Sequence, residues 1–176
     1  LHLVPVTFLV SLSSPAFAYT SKEKKKAKAK RTALPQKTGS LQLFVRGFSD
    51  ASDLIAALTL KGFAEEEYPM NFIEEFQKLC ILDVLIRNTD RHFDNWLLKT
   101  TSHCGTCQLS LSPKRYVKIA AIDNGLSFPH RIIEPRKFTY NWVMLPASYI
   151  PFKESIIAKY RPILQDCNRE RELERE

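Results

Sequence analysis

The stretch from residue 71 to residue 96 constrains the fold most, because a long apolar segment runs directly into a polar turn. Apolar residues recur at helical spacing over residues 72–80, and residues 81–86 leave almost no polar face. Asn71, with Glu74 three positions later, is typical of a capping box. The pattern predicts a helix buried at the centre of a lobe, with the polar turn at its C-terminal end.

That turn, residues 87–96, carries Asp90 and, five positions later, Asn95. In the kinase pattern H-R-D-x-x-x-x-N, the Asp accepts or orients a hydroxyl proton and the Asn carbonyl helps to hold magnesium. Asp123 follows an apolar strand, residues 116–122, as the metal-binding Asp of a D-F-G-type turn would. Asp-x-x-x-x-Asn alone also fits a solvated turn, but the order of these elements favours phosphoryl transfer.

Several segments resemble type II phosphatidylinositol 4-kinases. Two of them surround the acidic turns, residues 86–97 and residues 118–129. A third, residues 39–51, matches that family's interlobe hinge through its Gly-Ser-Leu-Gln-Leu-Phe-Val run and the Gly, Asp and Ala that follow. The resemblance extends from about Val4 to Pro162.

The resemblance implies an α+β, protein-kinase-like fold of the PI3/PI4-kinase type, with two lobes. Residues 1–45 would supply partial N-lobe strands, a basic loop and the hinge, and residues 46–176 a mainly helical C-lobe, truncated at its C-terminus. A chain of 176 residues is short for a whole two-lobed kinase. No Gly-rich loop or phosphate-gripping strand lysine precedes the hinge, so we expect a partial kinase chain.

The same resemblance assigns roles to the two acidic turns. Asp90 and Arg91 would act in catalysis, while Asn95 and Asp123 would hold Mg²⁺, with Mn²⁺ as a possible substitute. Arg91 suits a phosphate contact and a structural anchor of the loop equally well.

Four residues would bind ATP at its adenine, with hinge backbone groups donating and accepting hydrogen bonds and two side chains enclosing the ring: Gln42, Phe44, Val45 and Ile122. Within the catalytic turn, His92 and Phe93 replace the small Gly and Asn of the family pattern. Bulkier side chains there would reshape the phosphate side of the cavity.

The reaction implied is transfer of the ATP γ-phosphate to the 4-hydroxyl of phosphatidylinositol, giving phosphatidylinositol 4-phosphate. The resemblance further implies peripheral association with the cytoplasmic face of Golgi, trans-Golgi network, endosomal or plasma membranes. Two alternatives stay open. One is a catalytically inactive, kinase-like membrane-binding scaffold, and the other is a kinase for protein or small-molecule substrates.

The net charge of +7 is concentrated in one stretch, because residues 22–31 hold seven Lys or Arg residues and one Glu. The rest of the chain is nearly neutral and no aromatic residues interleave with this run, which argues against nucleic acid as a partner. We expect a mobile loop between two strands. Either it is a solvated loop, or Lys24, Lys25 and Lys26 attract anionic lipid at about 1 kcal/mol each.

Residues 126–151 occupy the place of an activation loop and mix cations with aromatic residues. Trp142 suits a membrane interface, where Trp prefers headgroup depth, but it would equally suit packing beneath the lobe. Cys104 and Cys107 form a lone C-x-x-C without a second ligand pair, so we expect free thiols and a reducing, cytosolic environment.

Strand and helix patterns complete the prediction. Residues 4–10 alternate and are rich in β-branched residues, which predicts a strand and not a secretory signal. Residues 41–45 predict the hinge strand. Residues 153–160 predict a short helix that ends near Pro162.

Overall fold

The computed structural model describes residues 1–53, 68–69, 71–101, 116–130 and 140–173, with side chains in the last helix described to residue 165. Cys104 and Cys107 lie outside these ranges. The chain divides into two compact units, Pro5–Val45 and Leu1–Val4 with Arg46–Glu176. Helices and small antiparallel sheets confirm the α+β composition.

The smaller unit consists of a strand pair and a helix, namely β1 (Thr7–Leu12), α1 (Ser21–Lys30) and β2 (Lys37–Gln42). The two strands are antiparallel, with Phe8 opposite Leu41. The predicted hinge strand is therefore shifted: regular pairing ends at Gln42. Only the Leu43 N–H continues it, donating to the Val6 carbonyl at 2.8 Å.

The basic stretch forms a capped helix, so the prediction of a mobile loop is wrong. The Thr20 hydroxyl accepts from the Glu23 N–H, and the Glu23 carboxylate accepts from the Thr20 N–H at 2.6 Å. This is a complete capping box, and the Lys and Ala residues that follow are good helix formers. The helix ends at Arg31, whose φ of 51° is left-handed. The Thr-x-x-Glu spacing was the signal that the sequence contained.

The larger unit places one helix against a three-stranded antiparallel sheet with strand order β3-β4-β5. Its elements are β3 (Ser49–Asp50), α2 (Phe72–Ile86), β4 (Trp96–Thr101), β5 (Tyr116–Ala121) and α3 (Glu154–Leu173). Phe72 and Phe76 stack along α2 with ring centres 5.8 Å apart, and Phe76 contacts the fully buried Trp96 of β4. These apolar contacts fix α2 relative to the strand that follows the polar turn.

Helix α2 is confirmed, but two details of its prediction are wrong. Asn71 forms no side-chain cap; its amide instead pairs with Val117 of β5, donating to the carbonyl and accepting from the N–H, both at 2.7 Å. The C-terminal half is not wholly buried either. The side chains of Val84 and Leu85 are 58% and 50% exposed, whereas that of the preceding residue, Asp83, is fully buried.

The two ends of this unit also differ from expectation. Helix α3 runs through Pro162 to Leu173 instead of ending near the proline. Leu3 is buried in the larger unit, and its carbonyl accepts from the Ala121 N–H at 2.9 Å. Among the described residues, no helix has the length and apolar character needed to cross a membrane.

Candidate active site

The β4–β5 pairing brings the two acidic turns together. Trp96 lies opposite Ala121 in the antiparallel register, so the residues just outside this pair, Asn95 and Ile122, lie at the same end of the sheet. The Ile122 N–H donates to the Asn95 carbonyl at 3.1 Å, which extends the pairing by one step. Asp123 is the next residue. The catalytic turn and the second acidic turn are therefore neighbours, as the sequence predicts.

The guanidinium of Arg91 ties these turns to α2. Its Nε donates to both carboxylate oxygens of Asp83, at 2.9 and 3.1 Å, and its two terminal nitrogens donate to three acceptors in the turns. These acceptors are the carbonyls of Asn95 and of Ile122, the latter at 2.7 Å, and the Asn124 side-chain oxygen. One planar side chain thus binds the residues on both sides of Asp123, Ile122 through its carbonyl and Asn124 through its side chain, as well as the Asn95 carbonyl.

The catalytic assignment of Arg91 is corrected by these contacts. Its side chain is buried and is paired with the equally buried carboxylate of Asp83. A guanidinium in that position does not face a phosphate group. Of the two roles that the sequence left open, the structure supports the anchor of the loop. Arg91 is a positioning residue, and its partner Asp83 was not among the residues predicted from the sequence.

Asp83 also connects α2 to the segment that follows the second acidic turn. The Trp142 indole N–H donates to the Asp83 carboxylate at 2.9 Å, and the Tyr140 hydroxyl donates to the Asp83 carbonyl at 3.0 Å. Burial raises the pKa of the Asp83 carboxyl, while the charge and hydrogen bonds of Arg91 oppose that shift. A buried carboxylate with this many donors holds its surroundings in one arrangement.

The contacts of Trp142 support packing beneath the lobe, one of the two roles predicted for it. Its ring stacks on Tyr140 with centres 5.0 Å apart and meets the edge of Phe76 at 6.1 Å. Trp142 also lines an apolar cleft beside α2, so its contact with lipid stays a prediction. Its neighbours Val143 and Met144 are exposed, Met144 to 77%.

Asp90 lies at the rim of the site with its carboxylate partly exposed. Its backbone N–H donates to the side-chain oxygen of the buried Asn88 at 2.9 Å, which shapes the turn. One carboxylate oxygen, Oδ1, lies 2.8 Å from His92 Nε2. Among the described residues Oδ2 accepts no hydrogen bond, so this oxygen is available to a substrate hydroxyl.

Asn95 and Asp123, the predicted metal ligands, both adjoin the end of the β4–β5 pair. The Asn95 amide nitrogen donates to the Asp90 carbonyl at 2.7 Å, and among the described residues its amide oxygen accepts no hydrogen bond. Asp123 is exposed and has a left-handed φ of 47°, a conformation that is costly for a residue with a side chain and that recurs at functional sites. One amide oxygen and one carboxylate fit Mg²⁺ or Mn²⁺, which would take its other ligands from phosphate and water.

Within the described ranges there is no cluster of three or more His, Cys, Asp or Glu side chains that could hold a metal ion. A binding site made of Asn95 and Asp123 would therefore depend on the nucleotide for its remaining oxygens. That dependence is typical of magnesium sites in phosphotransferases.

The predicted ATP-binding residues belong to different units. Gln42, Phe44 and Val45 lie at the end of the smaller unit, where Phe44 is 82% exposed, and Ile122 lies half-buried in the larger one. Each position leaves a side chain or backbone group accessible to a ligand. Their joint contact with adenine stays a prediction.

The predicted lipid contacts of α1 are solvent-accessible. Lys24, Lys25 and Lys26 are all exposed, and the helix buries only Ala27. Their contact with lipid also stays a prediction.

The comparisons with known proteins agree with the geometry. Residues 2–163 match the family described as phosphatidylinositol 3- and 4-kinase. The chain is 34% identical to phosphatidylinositol 4-kinase type 2-beta of Mus musculus, covering 96% of this chain and 40% of that protein. It is 35% identical to phosphatidylinositol 4-kinase type 2-alpha of Danio rerio, covering 99% of this chain and 43% of the relative. The chain thus spans well under half the length of these relatives.

Proposed function

The chain belongs to the phosphatidylinositol 3- and 4-kinase family, and from that premise we propose that it is a lipid kinase. The reaction proposed is transfer of the ATP γ-phosphate to the 4-hydroxyl of phosphatidylinositol. The lipid substrate and the position of its hydroxyl are inferred from the names of the type 2 phosphatidylinositol 4-kinases that the chain resembles. The observation that carries the proposal is the single network around Arg91, which holds Asp90, Asn95 and Asp123 on adjoining turns.

Each residue of the network has one task in the reaction. Oxygen Oδ2 of Asp90 accepts the proton of the inositol hydroxyl while that hydroxyl oxygen forms a bond to the γ-phosphorus. The bond from the γ-phosphorus to the β–γ bridging oxygen breaks, and ADP leaves. Asn95 and Asp123 would hold Mg²⁺ or Mn²⁺, which when bound neutralises charge on the β- and γ-phosphates. Arg91 and Asp83 keep these groups in register without touching the substrate.

The two units would correspond to parts of a bilobal kinase. The smaller unit would supply strands of the N-lobe and, through Gln42, Phe44 and Val45, the hinge that receives adenine. The larger unit would be the C-lobe, with Ile122 on the opposite side of the ring. Support comes from the family match over residues 2–163, which includes both units.

We further propose peripheral membrane association, on the cytoplasmic face of Golgi, endosomal or plasma membranes. The cations of α1 would attract anionic headgroups. The larger unit adds an apolar cleft of about 280 Å³ between α2, α3 and the segment after Trp142. Exposed apolar side chains of Val84, Leu85 and Phe152 line it. Such a surface suits an interface with lipid.

The direct test is phosphate transfer from labelled ATP to phosphatidylinositol vesicles in the presence of Mg²⁺. Asp90→Asn and Asp123→Asn should each lower the rate by at least roughly 100-fold, because one removes the proton acceptor and the other a metal ligand. Asp94→Asn is the matched control, since Asp94 is an exposed carboxylate in the same turn. Its rate should stay within about twofold of the wild type.

The outcomes separate the proposal from its alternatives. Equal labelling in all variants would contradict the assigned roles. Vesicle binding without labelling would favour the inactive scaffold, and labelling of soluble acceptors alone would favour a kinase for other substrates.

A further inference from the structure

We infer that His92 is a positioning residue for Asp90, and this inference rests on the proposed function. The imidazole Nε2 lies 2.8 Å from the Asp90 Oδ1 atom. The His92 side chain is 57% exposed and that of Asp90 is 34% exposed, so the pair forms at the open edge of the site.

The second ring nitrogen of His92 is also bound. The Asn141 side-chain amide nitrogen lies 3.0 Å from His92 Nδ1, and the Asn141 backbone N–H donates to the Arg91 carbonyl at 3.3 Å. These two contacts fit the Nε2–H tautomer, in which Nε2–H faces Asp90 and Nδ1 faces the Asn141 amide.

Two backbone hydrogen bonds also fix the main chain of His92. The His92 N–H donates to the Asp90 carbonyl at 2.9 Å, and the Asn95 N–H donates to the His92 carbonyl at 3.2 Å. The backbone of residue 92 is thus fixed within the turn independently of its side chain. The imidazole adds a link between the catalytic turn and the 3₁₀ helix Asn141–Met144, which belongs to the segment after Asp123.

The consequence for the reaction concerns which oxygen of Asp90 meets the substrate. Oδ1 is occupied by His92, so the carboxylate presents Oδ2 to the acceptor hydroxyl in one orientation. A carboxylate without this partner rotates between equivalent orientations, and loss of orientation lowers the rate of the chemical step. Because His92 acts on the acceptor side, ATP binding should not depend on it. Replacing His92 should therefore change kcat and leave the KM for ATP unchanged.

The kinetic test uses His92→Gly, His92→Gln and Asn141→Ala in the lipid-labelling assay, with Asp94→Asn as control. His92→Gly should lower kcat on the order of tenfold and leave the KM for ATP unchanged. His92→Gln keeps an N–H donor and should recover kcat to within about threefold of the wild type. The kcat of Asn141→Ala should lie between those of His92→Gly and His92→Gln. An unchanged or higher kcat in His92→Gly would overturn the inference, provided that its circular dichroism matches the wild type.

A spectroscopic test separates this inference from the proposed function. Long-range ¹H–¹⁵N spectra of the four histidines, assigned with His92→Gln, report the tautomer of each neutral ring. We expect a single Nε2–H tautomer for His92 that becomes a mixture in Asp90→Ala and Asn141→Ala. If the wild-type chain labels no lipid, the proposed function fails on its own. A mixture of tautomers in the wild type overturns the positioning of Asp90 by His92, whatever the activity.

Discussion

The polar turns of the larger unit and helix α1 of the smaller unit are both rich in charge, yet they are stabilised in opposite ways. The turns depend on Arg91, a buried side chain that contacts residues from 83 to 124. Helix α1 depends on Thr20 and Glu23, which are three residues apart, and its lysines contact solvent. Charge in the first region is structural and specific, whereas charge in the second is available to an external partner.

The largest effect expected from this difference is on stability. Arg91→Met would leave the buried Asp83 carboxylate without its ion pair, so the free energy of unfolding should fall by about 3–5 kcal/mol. Urea denaturation measures this change. Arg161→Met is the control, because Arg161 is exposed on α3 and its loss should change stability by less than about 0.5 kcal/mol.

A second variant sharpens that result. Arg91→Met combined with Asp83→Leu removes both charges, and the double variant should be more stable than Arg91→Met alone. It should still be inactive, because the carbonyls of Asn95 and Ile122 lose their shared donor. A double variant that keeps wild-type lipid labelling would show that the network does not position the site.

In α1, the expected effect is on binding and not on folding. Replacing Lys24, Lys25 and Lys26 by Gln should weaken binding to anionic vesicles by about 1 kcal/mol per residue, while the free energy of unfolding stays unchanged. Sedimentation with vesicles at low and high salt measures it, because the difference should shrink as salt screens the charges. Replacing the same three residues by Arg is the matched control. Binding that survives the Gln changes would assign membrane contact to other residues.

The smallest effect concerns the cap of α1. Thr20→Ala removes the side-chain acceptor for the Glu23 N–H and should destabilise the helix by about 1 kcal/mol, visible as faster amide exchange within Ser21–Lys30. Ser21→Ala is the control at the adjacent exposed position. Lipid labelling by Thr20→Ala in detergent micelles should match the wild type. A loss of labelling there would mean that the cap of α1 contributes to catalysis.

The contrast also explains what could be predicted from the sequence. Asp90, Asn95 and Asp123 could be predicted because their chemistry requires particular residue types at particular spacings. Capping patterns were less reliable guides. The Thr-x-x-Glu pattern at the start of α1 forms a capping box although a loop was predicted there. The capping box predicted at Asn71 does not form, because the Asn71 amide pairs with Val117 of β5.

The buried ion pair of Asp83 with Arg91 could not be predicted from spacing. It depends on a tertiary contact between the face of α2 and two turns. The one signal was Asp83 itself, a lone carboxylate within the apolar run 81–86. A charge retained in a buried helix needs a partner, but both Arg87 and Arg91 follow within eight residues, and the sequence does not choose between them.

The central claim is that Asn95 and Asp123 share one nucleotide-bound cation beside Asp90. Electron paramagnetic resonance of Mn²⁺ with ATP tests it without requiring turnover. Wild type and Asp94→Asn should bind Mn²⁺ in an ATP-dependent manner, and Asn95→Ala and Asp123→Asn should each weaken that binding by at least about tenfold. Equal ATP-dependent binding of Mn²⁺ in all four proteins would contradict the claim.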